Sequence, residues 1–191
     1  MRLRLSRALT SKHRELFRDI ETGLPCVSEH RRGASREGDP IFVCARPTLA
    51  AHRGRLLSRS AGRGTPVHAA SFIRKRRIVI ETELLDDLPT LRLILVHEYF
   101  HFVWPRLGNR TRRAFEAVLR KERARGELGE SAAVRKKLAC ADARHWKDYV
   151  CESFCDTAAW MYAGVAAHPS FTLSRRWQIY RAKWFRTTFG R

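Results

Sequence analysis

The chain has 191 residues, enough for one ordinary domain. A domain of this size can be stabilised by its hydrophobic core alone, without disulfides or a structural metal. Apolar side chains make up 44% of it and aromatic ones 10%, which excludes a wholly disordered chain. The longest apolar stretch, residues 158–167, is about half as long as a membrane-spanning helix, so no membrane span is predicted.

The charge is strongly unbalanced, with 38 Lys and Arg against 19 Asp and Glu, a net charge of +19. Such an excess favours non-specific contact with nucleic acid or with anionic membrane surfaces. The basic residues are spread along the chain rather than clustered. Non-specific nucleic acid is therefore an expected partner through the basic surface, and no specific binding is inferred from charge alone.

The five cysteines form an odd number and contain no CxxC pair. The first 20 residues mix Arg and Lys with scattered apolar residues and lack the apolar stretch of a secretory signal. A disulfide framework is therefore not expected, and a reducing, cytoplasmic location is predicted.

The first part of the chain predicts a helix followed by irregular segments. Leu5, Leu9, Leu16 and Ile20 recur at roughly helical spacing, which predicts an amphipathic helix over residues 1–20. The Gly-, Ser- and Arg-rich composition of two further segments predicts exposed loops, with a short strand between them; the loops cover residues 29–40 and 53–64, and the strand residues 41–44. Residues 1–64 are accordingly predicted to form a basic N-terminal extension, partly irregular.

From residue 65 the pattern indicates a folded domain that reaches residue 191. Strand-like segments at 67–73 and 77–80 flank a basic turn and predict a hairpin. Asp86, Asp87 and Pro89 then mark the start of a helix over 90–104, which is apolar on nearly every side and should be buried. Further helices are predicted over 110–125, 132–139, 142–162 and 174–189. The expected fold class is α+β, with a small sheet or hairpin packed on the buried helix and with further helices around it.

The buried helix contains the motif His97-Glu98-Tyr99-Phe100-His101, an HExxH pattern. Side chains four residues apart share a helix face, so His97 and His101 can converge on one zinc ion. Glu98 lies near enough to act as general base on a water bound there, without ligating the metal itself. Residue frequencies predict only about 0.02 chance matches to this motif in such a chain. The alternative is a pair of hydrogen-bonded core histidines beside a surface Glu98.

A catalytic zinc site needs a third protein ligand, and the helix over 142–162 offers candidates. Glu152 and Asp156 are four residues apart on one face. Glu152 could ligate zinc while Asp156 accepts the outer N–H of a metal-bound histidine. His145, two turns before Glu152, is an alternative ligand, and Cys151 with Cys155 could bind metal as thiolates, although buried inert thiols are the more ordinary case for this pair.

The two motifs together resemble the gluzincin branch of the zincin metallopeptidases. In that family they lie on adjacent helices and the glutamate is the third zinc ligand. The resemblance covers residues 66–164, and the small size is similar to the minimal, ImmA/IrrE-like members. It implies that His97, His101 and Glu152 are the ligands of Zn²⁺ and that Glu98 is the general base. It also implies that Asp156 hydrogen-bonds a metal-bound histidine without binding the metal itself. The 50 residues between His101 and Glu152 are more than in the thermolysin-like arrangement.

Two further side chains on the same predicted helix are candidates for stabilising a transition state. His145 and Tyr149 could each steady an oxyanion, or could be ordinary surface or capping residues. In zincins the strand before the metal helix commonly receives the substrate backbone, and residues 67–80 hold that position here. Their basic turn would favour acidic or nucleic-acid-associated substrates, or is simply a solvated hairpin tip.

The predicted function is that of an intracellular, zinc-dependent metallopeptidase, a hydrolase acting on a protein or peptide substrate. One alternative is a basic nucleic-acid-binding module in which a metal only braces the fold. Another is a catalytically inactive zincin scaffold used for partner binding.

Overall fold

The computed structural model describes residues 2–6, 9–25, 40–58, 64–122 and 129–190. Within these ranges the fold class is α+β, as predicted. Its strands are β1 (Leu3–Leu5), β2 (Ile41–Arg46), β3 (Leu49–His52), β4 (Arg55–Ser58), β5 (Thr65–Pro66), β6 (Ala69–Phe72) and β7 (Arg77–Glu81). Its helices are α1 (Ser11–Gly23), α2 (Leu88–Val103), α3 (Asn109–Glu122), α4 (Glu130–Ala141), α5 (Trp146–Tyr162) and α6 (Arg175–Phe189).

The central sheet has four strands in the order β1-β2-β7-β6. β1, β2 and β7 run parallel, whereas β6 pairs antiparallel with β7, which confirms the predicted hairpin. Alternate residues of β2 and β7 are fully buried in the main core, namely Ile41, Val43, Ile78 and Ile80. The opposite face carries a second, smaller hydrophobic cluster, over which lies an antiparallel sheet in the order β4-β3-β5.

Helix α2 lies in the middle of the core, as its sequence predicts. The Asp87 side chain caps its start by accepting the Thr90 N–H at 3.2 Å, and the proline at 89 fits the first turn. Its main helical neighbour is α5, and the rings of Phe100 and Phe154 pack with centroids 5.6 Å apart. This packing places the two sequence motifs side by side.

The helix predicted over residues 1–20 is wrong in its first half. Residues Leu3–Leu5 form β1, and the helix begins only at Ser11. Leu3 and Leu5 alternate with basic residues, a period of two, and Leu3–Leu5 pairs in parallel with the start of β2. Thr10 and His13 form the capping box that fixes the start of α1.

The described part of residues 1–64 contributes to the central sheet and to the main core. β1 and β2 are its first two strands, and Leu16, Phe17 and Ile20 of α1 are buried in the same cluster as α2. The predicted loop over 53–64 contains a strand, β4, while residues 59–63 lie outside the described residues. Most of the loop predicted over 29–40 also lies outside them.

The remaining helices occur where they are predicted, with shifted ends. The helix predicted over 142–162 begins at Trp146, after a short 3₁₀ turn at Ala143–His145. The one predicted over 110–125 is described as far as Glu122, and those predicted over 132–139 and 174–189 are α4 and α6. In the described ranges, every helix is too short or too polar to traverse a bilayer.

Candidate metal centre

The packing of α2 on α5 brings three side chains of the two motifs together. The Nε2 atoms of His97 and His101 are 3.1 Å apart, and the Glu152 Oε2 lies 3.2 Å from the first and 3.7 Å from the second. Two ligand atoms at about 2.0–2.1 Å from a tetrahedral zinc ion are about 3.4 Å apart. The three atoms therefore form a triangle of the size that a tetrahedral metal ion requires.

Asp156 holds the imidazole of His97 from the side away from this triangle. Its Oδ1 lies 2.7 Å from the His97 Nδ1, so the ring donates its Nδ1–H to the carboxylate and turns Nε2 toward the triangle. The other oxygen, Oδ2, accepts the backbone N–H of Ala132 at 2.9 Å, in the first turn of α4. Asp156 thus contacts one of the two histidines of the HExxH motif, and it also caps α4.

Gly129 leaves room for that carboxylate. It precedes α4 with a φ of +88°, and a Cβ at this position would overlap the Asp156 carboxyl group. Only glycine combines this backbone conformation with so close an approach. The geometry of Asp156 therefore depends on the residue that leads into α4.

His101 has an outer partner of its own, the thiol of Cys151. The Cys151 Sγ lies 3.7 Å from the His101 Nδ1. A hydrogen bond with Cys155 lowers the pKa of Cys151 to about 6; burial opposes this shift and the His101 ring adds to it. Both histidines are therefore held at Nδ1, which leaves both Nε2 atoms directed at one point.

A second set of metal-binding atoms shares the two histidines. His97, His101 and Cys155 each offer one ligand atom, and these atoms lie within 4.8 Å of one another. Burial raises the pKa of the Cys155 thiol well above its usual value, which disfavours the thiolate that a metal needs. The Glu152 carboxylate lies within 3.7 Å of both Nε2 atoms, and the pKa of this carboxyl is lowered rather than raised, so we favour Glu152 as the third ligand.

The charges of the cluster are mutually compensating. Burial works against an ionised Glu152, but hydrogen bonding to His97 and the charges of the two rings lower the pKa of this carboxyl. Burial would likewise lower the pKa of His97, but the carboxylates of Asp156 and Glu152 raise it well above its usual value. The carboxylates of Asp156, Glu152 and Glu98 therefore favour positive charge, on the rings or on a bound cation, at the point where the ring nitrogens meet.

Glu98 is buried beside the two histidines rather than lying on the surface. The residue is only 9% exposed, and its negative charge contributes to raising the pKa of both imidazoles. The backbone carbonyl of Glu98 accepts the Ser71 hydroxyl at 2.9 Å, which ties β6 to this turn of α2. Glu98 is therefore not the surface residue that the alternative expects, whereas the two histidines are hydrogen-bonded as it expects.

His145 and Tyr149 have other surroundings. The His145 Nδ1 lies 3.5 Å from the Asp148 carboxylate, and each of these two side chains is about half exposed to solvent. Tyr149 packs its ring on Trp146 and is buried near Arg181, and burial raises the pKa of its hydroxyl. The structure gives neither residue a place in the triangle of ligand atoms, so their role as transition-state stabilisers stays a prediction.

Two contributors to the site, Ser71 and Gly129, are absent from the sequence-based expectations, because they act through contacts between distant elements. A third, Cys151, is expected from the sequence only as a metal ligand or an inert thiol, and not as a hydrogen-bond partner of His101. The glycine before a helix start was the one local signal that could have drawn attention to residue 129. The other two become apparent only once α2 is packed against β6 and α5.

No protein-family model, no curated protein and no solved structure matches this chain significantly. Its function is therefore inferred from the geometry and chemistry of the site itself.

Proposed function

We propose that the chain is a zinc-dependent metallopeptidase that hydrolyses peptide bonds, with an arrangement like that of the gluzincins. The observation that carries the proposal is the triangle formed by the Nε2 atoms of His97 and His101 and the Oε2 atom of Glu152, with edges of 3.1–3.7 Å. Imidazole and carboxylate ligands are the donor set of catalytic zinc sites, which leave a fourth position open. The residues present therefore fit a zinc ion.

Zinc bound by these residues would polarise a peptide carbonyl and lower the pKa of a water molecule to about 7. Glu98 is the base that takes the proton from the attacking water and then gives it to the departing amine. Burial beside the ligands keeps this carboxylate close to the reacting atoms and away from bulk water. Asp156 and Cys151 hold the two imidazoles in the tautomer that leaves each Nε2 available.

The substrate is proposed to bind along β6. This strand lies at the edge of the central sheet as described, and Ser71 fixes it to the turn of α2 that carries Glu98. An extended peptide paired with β6 would gain main-chain hydrogen bonds and would run past the ligand triangle. Cys44, Cys140, Cys151 and Cys155 are all free, which supports the further proposal that the enzyme acts in a reducing compartment.

The test is Glu98→Gln, which keeps the shape of the side chain and removes the base. We expect this variant to retain zinc at the wild-type stoichiometry and to lose at least about 100-fold of its peptide hydrolysis, the usual contribution of general-base catalysis. Glu83→Gln, at an exposed glutamate before α2, is the matched control and should change neither property. Undiminished cleavage by Glu98→Gln would overturn the proposal.

A second candidate function rests on the net charge of +19. A nucleic-acid-binding module braced by a metal would show tight binding with a steep loss of affinity as salt increases. It would also need a closed site with four protein ligands. An inactive scaffold would share the open site and differ from the enzyme only in the hydrolysis assay.

A further inference from the structure

A cavity of about 210 Å³ lies between the two sheets, on the face of the central sheet turned away from α2. Its floor is apolar and is contributed by both sheets, by Leu49, Leu56, Leu57, Phe72 and Val79. Pockets for whole drug-sized ligands measure roughly 300–1,000 Å³. This smaller cavity therefore suits one or two side chains of a larger molecule.

Three exposed cations border the apolar floor: Arg46, Lys75 and Arg77. Among the described residues, none of the ion pairs involves these three side chains. Glu81 is the nearest carboxylate along β7, but it already accepts the Leu49 N–H at 3.1 Å and pairs with a histidine. The cavity thus combines an apolar floor with cations that form no ion pair among the described residues, although Lys75 and Arg77 lie over the rings of Phe72 and Phe42.

The cations stand at both ends of the floor. In the register of β2 with β7, Arg46 lies opposite Glu81, which is four residues after Arg77 on β7. Because four residues of a strand span about 13 Å, the backbones of Arg46 and Arg77 are separated by about this distance along the strands. A ligand that meets both charges is therefore extended along the strands.

The cavity is also bordered by the outer strands of both sheets as described. Leu56, Leu57 and Ser58 belong to β4, at the edge of the small sheet, and Phe72 belongs to β6, at the edge of the central one. Edge strands offer backbone hydrogen bonds to an extended peptide. Single-stranded nucleic acid instead needs aromatic platforms for its bases, whereas four of the five floor residues are aliphatic. A peptide is the occupant that this lining favours.

The strand β6 connects the cavity with the metal centre. Ser71 reaches α2, and the next residue, Phe72, lines the cavity on the other face. A peptide paired with β6 would also direct alternate side chains to the two faces. We propose that the cavity is a subsite for an acidic side chain and a neighbouring apolar one in a peptide bound along β6. Its role in cleavage rests on the proposed peptidase function, but the binding preference does not.

Binding is tested on zinc-loaded Glu98→Gln protein, so that the probe is not cut. The probes are labelled leucine-rich peptides that differ only in one residue, Asp, Asn or Lys, and binding is measured by fluorescence anisotropy at several salt concentrations. The Asp peptide should bind about tenfold more tightly than the Asn peptide, the effect of one hydrogen bond to a charged group. The preference should weaken as salt increases.

Two variants show whether the cavity is responsible. Replacing Arg46, Lys75 and Arg77 together by Glu should reverse the preference toward the Lys peptide, and replacing all three by Gln should abolish it. Lys183→Glu, at an exposed lysine on α6, carries a charge change of the same kind and should leave the preference intact. Equal binding of the three peptides, or a preference that survives in both cavity variants, would overturn the subsite. If a single-stranded oligonucleotide displaces the Asp peptide, and this displacement depends on the same three cations, the choice of a peptide would be overturned.

The wild-type protein is then assayed for cleavage of the same peptides. If the proposed function holds, kcat/KM should follow the order of the binding affinities. A binding preference without any cleavage would sustain the subsite and count against the peptidase. Cleavage of all three peptides at equal kcat/KM would count against the subsite and sustain the peptidase.

Discussion

The carboxylate of Asp156 binds the imidazole of His97 with one oxygen, at 2.7 Å, and caps helix α4 with the other. One side chain of α5 thus fixes a histidine on α2 and the start of a third helix. The orientation of the His97 ring toward the triangle therefore depends on the position of α4, which contributes no atom to the triangle.

We expect Asp156→Asn to weaken zinc binding by about 10- to 100-fold, the usual cost of removing the outer partner of a metal-bound histidine. An amide has one oxygen, so it cannot accept hydrogen bonds from both the His97 ring and the Ala132 N–H. Competition with a chromophoric chelator measures the affinity. Asp148→Asn, at an exposed position on α5, is the control and should bind zinc like the wild type. Unchanged affinity in Asp156→Asn would show that the contact does not orient the ligand.

Gly129→Ala should lower both the stability and the zinc affinity. The new Cβ would displace the Asp156 carboxylate, in addition to the strain of a side chain at positive φ, about 1–3 kcal/mol. Gly164→Ala is the matched control, since Gly164 also has a positive φ but a Cβ added there would contact only the Arg92 side chain, at an ordinary distance of 3.8 Å. Chemical denaturation and chelator competition should show a stability loss in both variants and a zinc defect only in Gly129→Ala. Equal zinc affinity in the two variants would show that Gly129 is not needed for zinc binding.

Glu152 and Cys155 are the two candidates for the third ligand, and each assignment predicts a different loss of zinc on mutation. If Glu152 is the ligand, Glu152→Gln should reduce zinc affinity by more than the roughly 100-fold cost of losing an outer partner. Cys155→Ala should then retain stoichiometric zinc, because the thiol only packs in the core. Metal analysis of the dialysed proteins gives the answer. A Cys155→Ala protein without zinc would instead assign the metal to the group formed by His97, His101 and Cys155.

Arg181 and Glu122 form a fully buried ion pair between α6 and α3, joined by two hydrogen bonds of 2.8 and 2.7 Å. Arg181→Met leaves the Glu122 carboxylate buried without its partner, so we expect a loss of about 3–5 kcal/mol in the free energy of unfolding. Adding Glu122→Leu should recover much of this loss. Urea unfolding followed by tryptophan fluorescence provides the values.

The control for the buried pair is Arg120→Met. Arg120 pairs with Glu116 on the surface of α3, where such a pair contributes about 0–1 kcal/mol. A loss in Arg181→Met no larger than in this control would show that the buried pair is not needed for stability.

The sequence predicts those parts of the site that depend on spacing within one helix. His97 and His101 share a face of α2, and Glu152 and Asp156 share a face of α5, because residues four apart lie one turn apart. The apolar sequence of α2 likewise predicts its burial, which the structure confirms.

Contacts between distant segments escape the same reasoning. The period of two in Leu3–Leu5 covers too few residues to predict a strand by itself, and its partner begins at Ile41, so its pairing follows from the tertiary fold. The hydrogen bond from Ser71 to the Glu98 carbonyl also joins residues 27 positions apart. Local sequence cannot indicate such contacts, because they arise from the packing of whole elements.

The central claim is that the metal is held by two imidazoles and a carboxylate. X-ray absorption at the zinc edge of the loaded wild-type protein tests it most directly, because nitrogen and oxygen ligands lie at about 2.0–2.1 Å and thiolate sulfur at about 2.3 Å. We predict a first shell of nitrogen and oxygen only, with the scattering pattern of two histidine rings. A sulfur shell at about 2.3 Å, or a protein that takes up no zinc at all, would contradict the account.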